Sequence, residues 1–130
     1  MPNTPVFSQE LVQSTLDDFV AAWNRGDLEA ACAVYAEDAS FISEGKYVRG
    51  KALILDSYRK AYPDPSSMGT LLLEILEFRC VSSGCHADSM ASALLRWTVR
   101  VRGGKTTSGY ALEVYEFRSG AVRLMQDATM

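Results

Sequence analysis

Apolar positions recur at helical spacing through the first half of the chain and at strand spacing through the second. Val12, Leu16, Phe19 and Trp23 follow steps of four, three and four, so they share one helical face, with Asp17, Asp18 and Arg25 off that stripe. Ser8 stands where an N-cap belongs. Asn24-Arg25-Gly26 breaks the pattern, and Gly26 suits the left-handed position just past a helix end. Asp27 then caps a second helix in which Leu28, Ala31, Cys32 and Tyr35 repeat the i, i+3, i+4, i+7 spacing. A short strand is expected over 39–43 and a turn at Glu44-Gly45-Lys46. Gly50 leads into a third helix with Ile54, Tyr58, Ala61 and Tyr62 inward, ended by Pro63 and Pro65. Residues 1–7, with Pro2 and Pro5, read as a loose lead-in, and the loop 64–69 (DPSSMG) as mobile by composition.

From Thr70 the period changes to two. Leu71, Leu73 and Ile75 alternate with Leu72, Leu76 and Phe78, so both faces of this strand are expected to meet apolar neighbours. Ser82-Ser83-Gly84 reads as a turn. Ala91, Ala93, Leu95, Trp97, Val99 and Val101 form an inward row, with Arg96, Thr98, Arg100 and Arg102 on the other face. Gly103-Gly104 makes a hairpin turn. Two last strands, 108–117 and 121–130, join around Ser119-Gly120. Helices followed by an antiparallel meander predict an α+β fold, and the 130 residues one domain spanning 1–130.

Composition narrows the class. A net charge of −3 argues against a nucleic-acid surface, which needs a concentrated basic face. No apolar run approaches the roughly 20 residues that cross a bilayer. The start, MPNTPVFSQE, has no positive-then-apolar signal, and Cys32, Cys80 and Cys85 lack a paired CxxC spacing, which suits reduced thiols in a cytoplasmic protein.

With these elements in place, the chain resembles the nuclear transport factor 2-like, or cystatin-like, cone-shaped fold, and within it the SnoaL-like and SgcJ-type small proteins. The resemblance is carried by Ala22-Trp23-Asn24-Arg25-Gly26-Asp27-Leu28, Tyr35-Ala36-Glu37-Asp38-Ala39, Val48-Arg49-Gly50-Lys51 and Val122-Arg123-Leu124-Met125-Gln126-Asp127. It implies N-terminal helices packed on a curved antiparallel sheet, a pocket in the cone, and a homodimer through the outer sheet face. In such an interface the row Arg96, Thr98, Arg100, Arg102 would pair with Glu74 or Glu77; a solvated strand face is the alternative. The fold hosts unrelated activities, so it does not name a reaction.

The resemblance also locates candidate chemistry. The steroid-isomerase tyrosine would fall at Phe19 and its base at Ser43, neither of which can do that chemistry; an acid stands only at the third place, near Glu113. Steroid isomerisation is therefore disfavoured. The polyketide-cyclase branch puts an acid–base aspartate at Asp127, here flanked by Gln126 and Ala128 where SgcJ-type members often carry histidines. An inward Asp127 would sit among apolar atoms of Met125 and of Leu112 or Ala111, raising its pKa; an outward one would pair with Arg123 or Arg100. A two-residue turn at Ser119-Gly120 pairs Leu112 with Asp127 and sends Glu113 to the face of Gln126. A three-residue turn pairs Ala111 with Asp127 and brings Glu113 beside Met125. The expected ligand is a small apolar or aromatic molecule, held by Tyr35, Phe41, Tyr58, Trp97, Tyr110 and Met125 and acted on by Asp127 and Glu113 without a cofactor. Tyr62 and Tyr115 are weighed with these rings, and core packing is the competing role for all of them. Glu37-Asp38 reads as a helix-end cap. His86 with Asp88 lacks a third metal ligand, and nothing near Cys85 lowers its pKa. The competing expectation is an association module whose cone is filled by its own side chains.

Overall fold

The computed structural model describes residues 8–80, 89–101 and 103–130. Helix α1 spans Gln9–Asn24, and Ser8 caps it by accepting the Leu11 amide at 3.3 Å. Val12, Leu16 and Trp23 are buried as the stripe requires. Gly26 turns the chain at φ +79°, where a Cβ would meet Pro65 at 2.7 Å, so both conformation and close approach demand glycine. Asp27 caps α2 through the Ala30 amide at 3.0 Å.

Here the chain departs from its helical spacing. Helix α2 covers only Leu28–Ala31, a 3-10 turn follows at Cys32–Val34, and strand β1 starts at Tyr35 and runs to Ser43. Tyr35 is thus a strand residue, and Glu37-Asp38 is an exposed pair within β1 rather than a helix-end cap. Pairing decides the matter, because Tyr35 enters the ladder opposite Leu124 of the last strand, and four residues of helix carry too little cohesion to resist. A second strand, β2 at Lys46–Arg49, folds back on β1 across the Glu44-Gly45 turn and was not foreseen.

Helix α3 spans Lys51–Ala61. Ile54 is fully buried and Tyr58 and Tyr62 half-buried, whereas Ala61 is exposed, against the expectation for it. The 64–69 loop is pinned by Met68, which is 1% exposed and accepts Trp23 Nε1 on its carbonyl at 3.1 Å. Asn24 adds a second anchor, its side chain exchanging two hydrogen bonds with the Leu71 backbone at 2.7 and 3.2 Å. These ties fix the end of α1 to the start of the sheet.

Strands β3 (Thr70–Cys80), β4 (Ser89–Arg100), β5 (Thr106–Arg118) and β6 (Ala121–Thr129) form the meander. The six strands order as β2-β1-β6-β5-β4-β3. All neighbours are antiparallel except β1 and β6, which are parallel. The sheet is therefore mixed and not antiparallel throughout as expected, because the chain crosses from β1 to β6 through the helix and the meander and not by a hairpin. Its inner face carries Ala91, Ala93, Leu95, Ala111, Tyr115, Phe117 and Leu124 into the core under the helices. Its outer face is open: Leu72 and Leu76 are about half exposed, so β3 meets apolar neighbours on one face only. Cys80 is disulfide-bonded and Cys32 is a buried free thiol, so the expectation of three reduced thiols fails at Cys80. The predicted turn Ser82-Ser83-Gly84, together with Cys85, His86, Asp88 and Arg102, lies outside the described residues.

Candidate functional site

The register of β5 and β6 builds the site. Arg118 faces Ala121, so the turn is the two-residue Ser119-Gly120. Pairing then proceeds through Tyr115 opposite Leu124, but the next partners are Val114 and Gln126. Met125 is left without a partner, a β-bulge that shifts the register by one. Beyond it Glu113 stands directly opposite Asp127. Neither simple turn produces this pairing. The bulge also switches the face of β6, so that Leu124 and Asp127, three apart, are both buried while Gln126 is exposed.

Glu113 and Asp127 are 6% and 5% exposed, the buried acids among the described residues. Tyr35 donates its hydroxyl to Asp127 Oδ2 at 2.7 Å and Thr129 donates to Oδ1 at 3.4 Å. Tyr58 lies 3.3 Å from the Tyr35 oxygen. Since the Tyr35 proton is committed to Asp127, Tyr58 is the donor in that contact. Tyr115 donates to Glu113 Oε1, and Glu113 is hydrogen-bonded to Asp127.

Burial raises the pKa of both acids. Asp127 is pushed to about 6 by desolvation, against the hydrogen bonds from Tyr35, Glu113 and Thr129, which favour its ionised form. Glu113 is pushed well above the ordinary range by desolvation and then by the charge of Asp127. Glu113 therefore holds a proton more tightly than Asp127, and the pair shares one proton at neutral pH. Tyr35, Tyr58 and Tyr115 are raised well above the phenolic range, chiefly by burial, and stay neutral. Burial also lifts the Cys32 thiol to about 12, which makes it inert at neutral pH.

Above this pair opens a cavity of about 1210 Å³. Its depth is lined by Leu16, Phe41, Tyr58, Trp97, Glu113 and Asp127, its rim by Lys46, Tyr47, Arg49 and Lys60. Trp23 stacks edge-on against Tyr58 and Tyr62 at centroid distances of 5.7 and 5.1 Å, and Phe41 packs on Tyr58 at 5.3 Å. Trp97 lies over Gly109, where a Cβ would come within 2.6 Å of the indole.

Of the expected ligand contacts, Phe41, Tyr58 and Trp97 line the cavity. Tyr35 stands behind the wall, 1% exposed, and reaches the site through Asp127. Met125 is the bulge residue, half-buried against the core and not part of the lining. Tyr110 is on the outer face, 46% exposed beneath the Arg96 guanidinium, because it alternates out of phase with Ala111 and Glu113. Sequence reasoning missed Thr129 and the Tyr35–Tyr58 chain; the first lies two residues beyond Asp127 on the same face, a signal that was readable. Among the described residues no group of three His, Cys, Asp or Glu side chains is placed to hold a metal ion.

A SnoaL-like domain model matches residues 16–125. The chain belongs to the SnoaL-like domain family. Among solved structures, this SnoaL-like chain is similar to a nuclear transport factor 2-like protein of unknown function from Shewanella oneidensis MR-1. That match has 29% identity and a TM-score of 0.82, covering 92% of this chain and 96% of the other. A cystatin-like-fold domain of unknown function from Nostoc punctiforme matches at 21% identity and TM-score 0.78, covering 95% and 78%. A ketosteroid isomerase-like protein from Erwinia carotovora atroseptica matches at 21% identity and TM-score 0.65, covering 95% and 96%. The last two share the fold. No protein of curated function matches the chain.

Proposed function

We propose that this SnoaL-like domain binds a small, largely apolar molecule in its cone and that Asp127 acts on it as a general base. The observation that carries the reading is the buried Glu113–Asp127 pair at the floor of a cavity of about 1210 Å³. A base works best when its pKa lies near the working pH, and Asp127, at about 6, is mostly ionised at neutrality yet still basic enough to accept a proton. Glu113 keeps its own proton and holds Asp127 in place. Asp127 would take a proton from one ligand atom and return it to another, the cofactor-free chemistry of isomerisation, cyclisation or dehydration. The volume speaks against the competing association module, whose cone would be filled by side chains.

The test is native mass spectrometry of the purified protein, followed by incubation of any co-purifying small molecule with wild-type chain and Asp127→Asn. Conversion by wild type alone, with unchanged circular dichroism, is expected. A cone that carries no small molecule and accepts none from an apolar library would end the reading.

The outer sheet face supports the further proposal of a homodimer. Register pairs Tyr47 with Ile42, Ile42 with Ala128, Ala128 with Leu112 and Leu112 with Leu94. This apolar row crosses five strands, with Ile42, Tyr47 and Leu112 each 46% exposed or more. An open apolar stripe of that length is the signature of a covered surface. Glu74 lies beside Arg96 on the same face, opposite charges that a two-fold axis would bring together again.

A further inference from the structure

We infer that the cone takes a ligand presenting a hydrogen-bond donor to its floor, and that this donor is a protonated amine on a flat, apolar body. The inference rests on the small-molecule reading above and adds the chemical class. It comes from following each proton at the floor to its acceptor. The Tyr35 proton goes to Asp127 Oδ2 and the Thr129 proton to Oδ1. The Tyr58 proton goes to Tyr35, and the Tyr115 proton to Glu113. The Glu113 proton goes to Asp127. Every floor donor is committed inside the protein. What remains for a ligand is acceptor capacity: a lone pair of Asp127 and the lone pairs of Tyr58.

Among the described residues Trp97 Nε1 has no partner, but it is buried and so presents no donor to the open cavity. Ser43 and Ser57, the other small hydroxyls of the lining, accept as readily as they donate. The basic groups of the lining, Lys46, Arg49 and Lys60, are exposed at the rim, and Lys60 is paired with Asp56 at 3.1 Å. A ligand carboxylate at the floor would thus be buried beside an ionised aspartate with no cation to offset it. A ligand carbonyl at the floor would find every donor there already committed. An ammonium would meet the Asp127 charge and the π-faces of Phe41, Tyr58 and Trp97, the surroundings in which organic cations are bound.

The experiment uses three probes of one shape: 2-naphthylmethylammonium, 2-naphthylmethanol and 2-naphthoate, titrated by calorimetry at pH 7.5. The expected result is amine binding at least tenfold tighter than naphthoate, with the alcohol between. In Asp127→Asn that preference should vanish, and in Glu113→Gln, which keeps the Asp127 charge, it should persist. Asp127 is faced by Glu113 and Tyr115 from β5, Tyr35 from β1, Tyr58 from α3 and Cys32 from the preceding turn. Of these Asp127 itself titrates near neutrality, so amine affinity should fall as pH drops through about 6. Equal affinities, tighter naphthoate, a preference that survives Asp127→Asn, or no binding by any probe at millimolar concentration would each overturn the inference. Tighter naphthoate with turnover still abolished by Asp127→Asn would sink the ligand class while leaving the general base intact.

Discussion

Glu113 and Asp127 face each other across β5 and β6 because Met125, between them and the turn, takes no partner in the ladder. One unpaired residue therefore decides whether this SnoaL-like domain has a two-carboxyl floor. Were Met125 paired in a regular ladder, Asp127 would turn to the outer face, and a carboxylate would be lost from the cone.

Deleting Met125 should straighten β6 and leave Asp127 opposite Glu113, because Leu124, Gln126 and Asp127 then alternate regularly with their present partners. The expected outcome is retained ligand binding, since no residue beyond the bulge exchanges faces. Met125→Ala keeps the backbone count and should keep binding. Affinity for a bound probe and thermal melts check both variants, and loss of binding in the deletion alone would mean that the bend of the bulge, and not only the register, shapes the floor.

The acid pair should make the protein more stable as pH falls through the neutral range. Asp127 has a folded pKa of about 6 against a model value of 3.8, so the folded state holds its proton more tightly. Its contribution is fully present below the unfolded pKa and is lost as pH rises through about 6. The shift corresponds to roughly 3 kcal/mol, and Glu113 acts in the same direction at higher pH. Denaturant melts between pH 8 and pH 5 should show stability rising on acidification. The rise should be much smaller in the Glu113→Gln, Asp127→Asn double variant.

Tyr35→Phe removes the hydroxyl that favours the ionised form of Asp127. The midpoint of Asp127 titration, followed by carbon-detected NMR, should move upward. Stability should fall by about 1–3 kcal/mol, the cost of stranding buried partners. An unchanged midpoint would mean that Tyr35 is only packing.

Leu112→Glu places a charge in the middle of the outer apolar row, at a site already 46% exposed in the protomer. Light scattering should show the assembly shift to monomer, with the thermal midpoint of the monomer little changed. A wild-type chain that is itself monomeric at high concentration would remove the proposed interface.

Gly109→Ala tests the wall of the cone rather than its floor. The added methyl would lie 2.1 Å from the Met130 carbonyl oxygen and 2.6 Å from the Trp97 ring. Overpacking of this kind costs about 1–3 kcal/mol, and here it should also displace Trp97 and weaken ligand binding.

Much of this architecture is local and was readable along the chain. The Val12-Leu16-Phe19-Trp23 stripe, the Ser8 and Asp27 caps, the Gly26 turn and the alternation of β4 each depend on residues a few positions apart. The motif residues likewise pointed to the family and to Asp127. Tertiary pairing decided the rest. Tyr35 satisfied a helical spacing but joined β1, because a ladder with Leu124, 89 positions away, outweighs a helix of one turn. Glu113 and Asp127 were both visible, yet their facing depended on a bulge, and Met125 carries no local mark that would set it apart from its neighbours. Side chains on a strand alternate with period two, so a single unpaired residue inverts everything beyond it. Such a residue is placed by the whole sheet closing over α1 and α3, and not by the sequence around it.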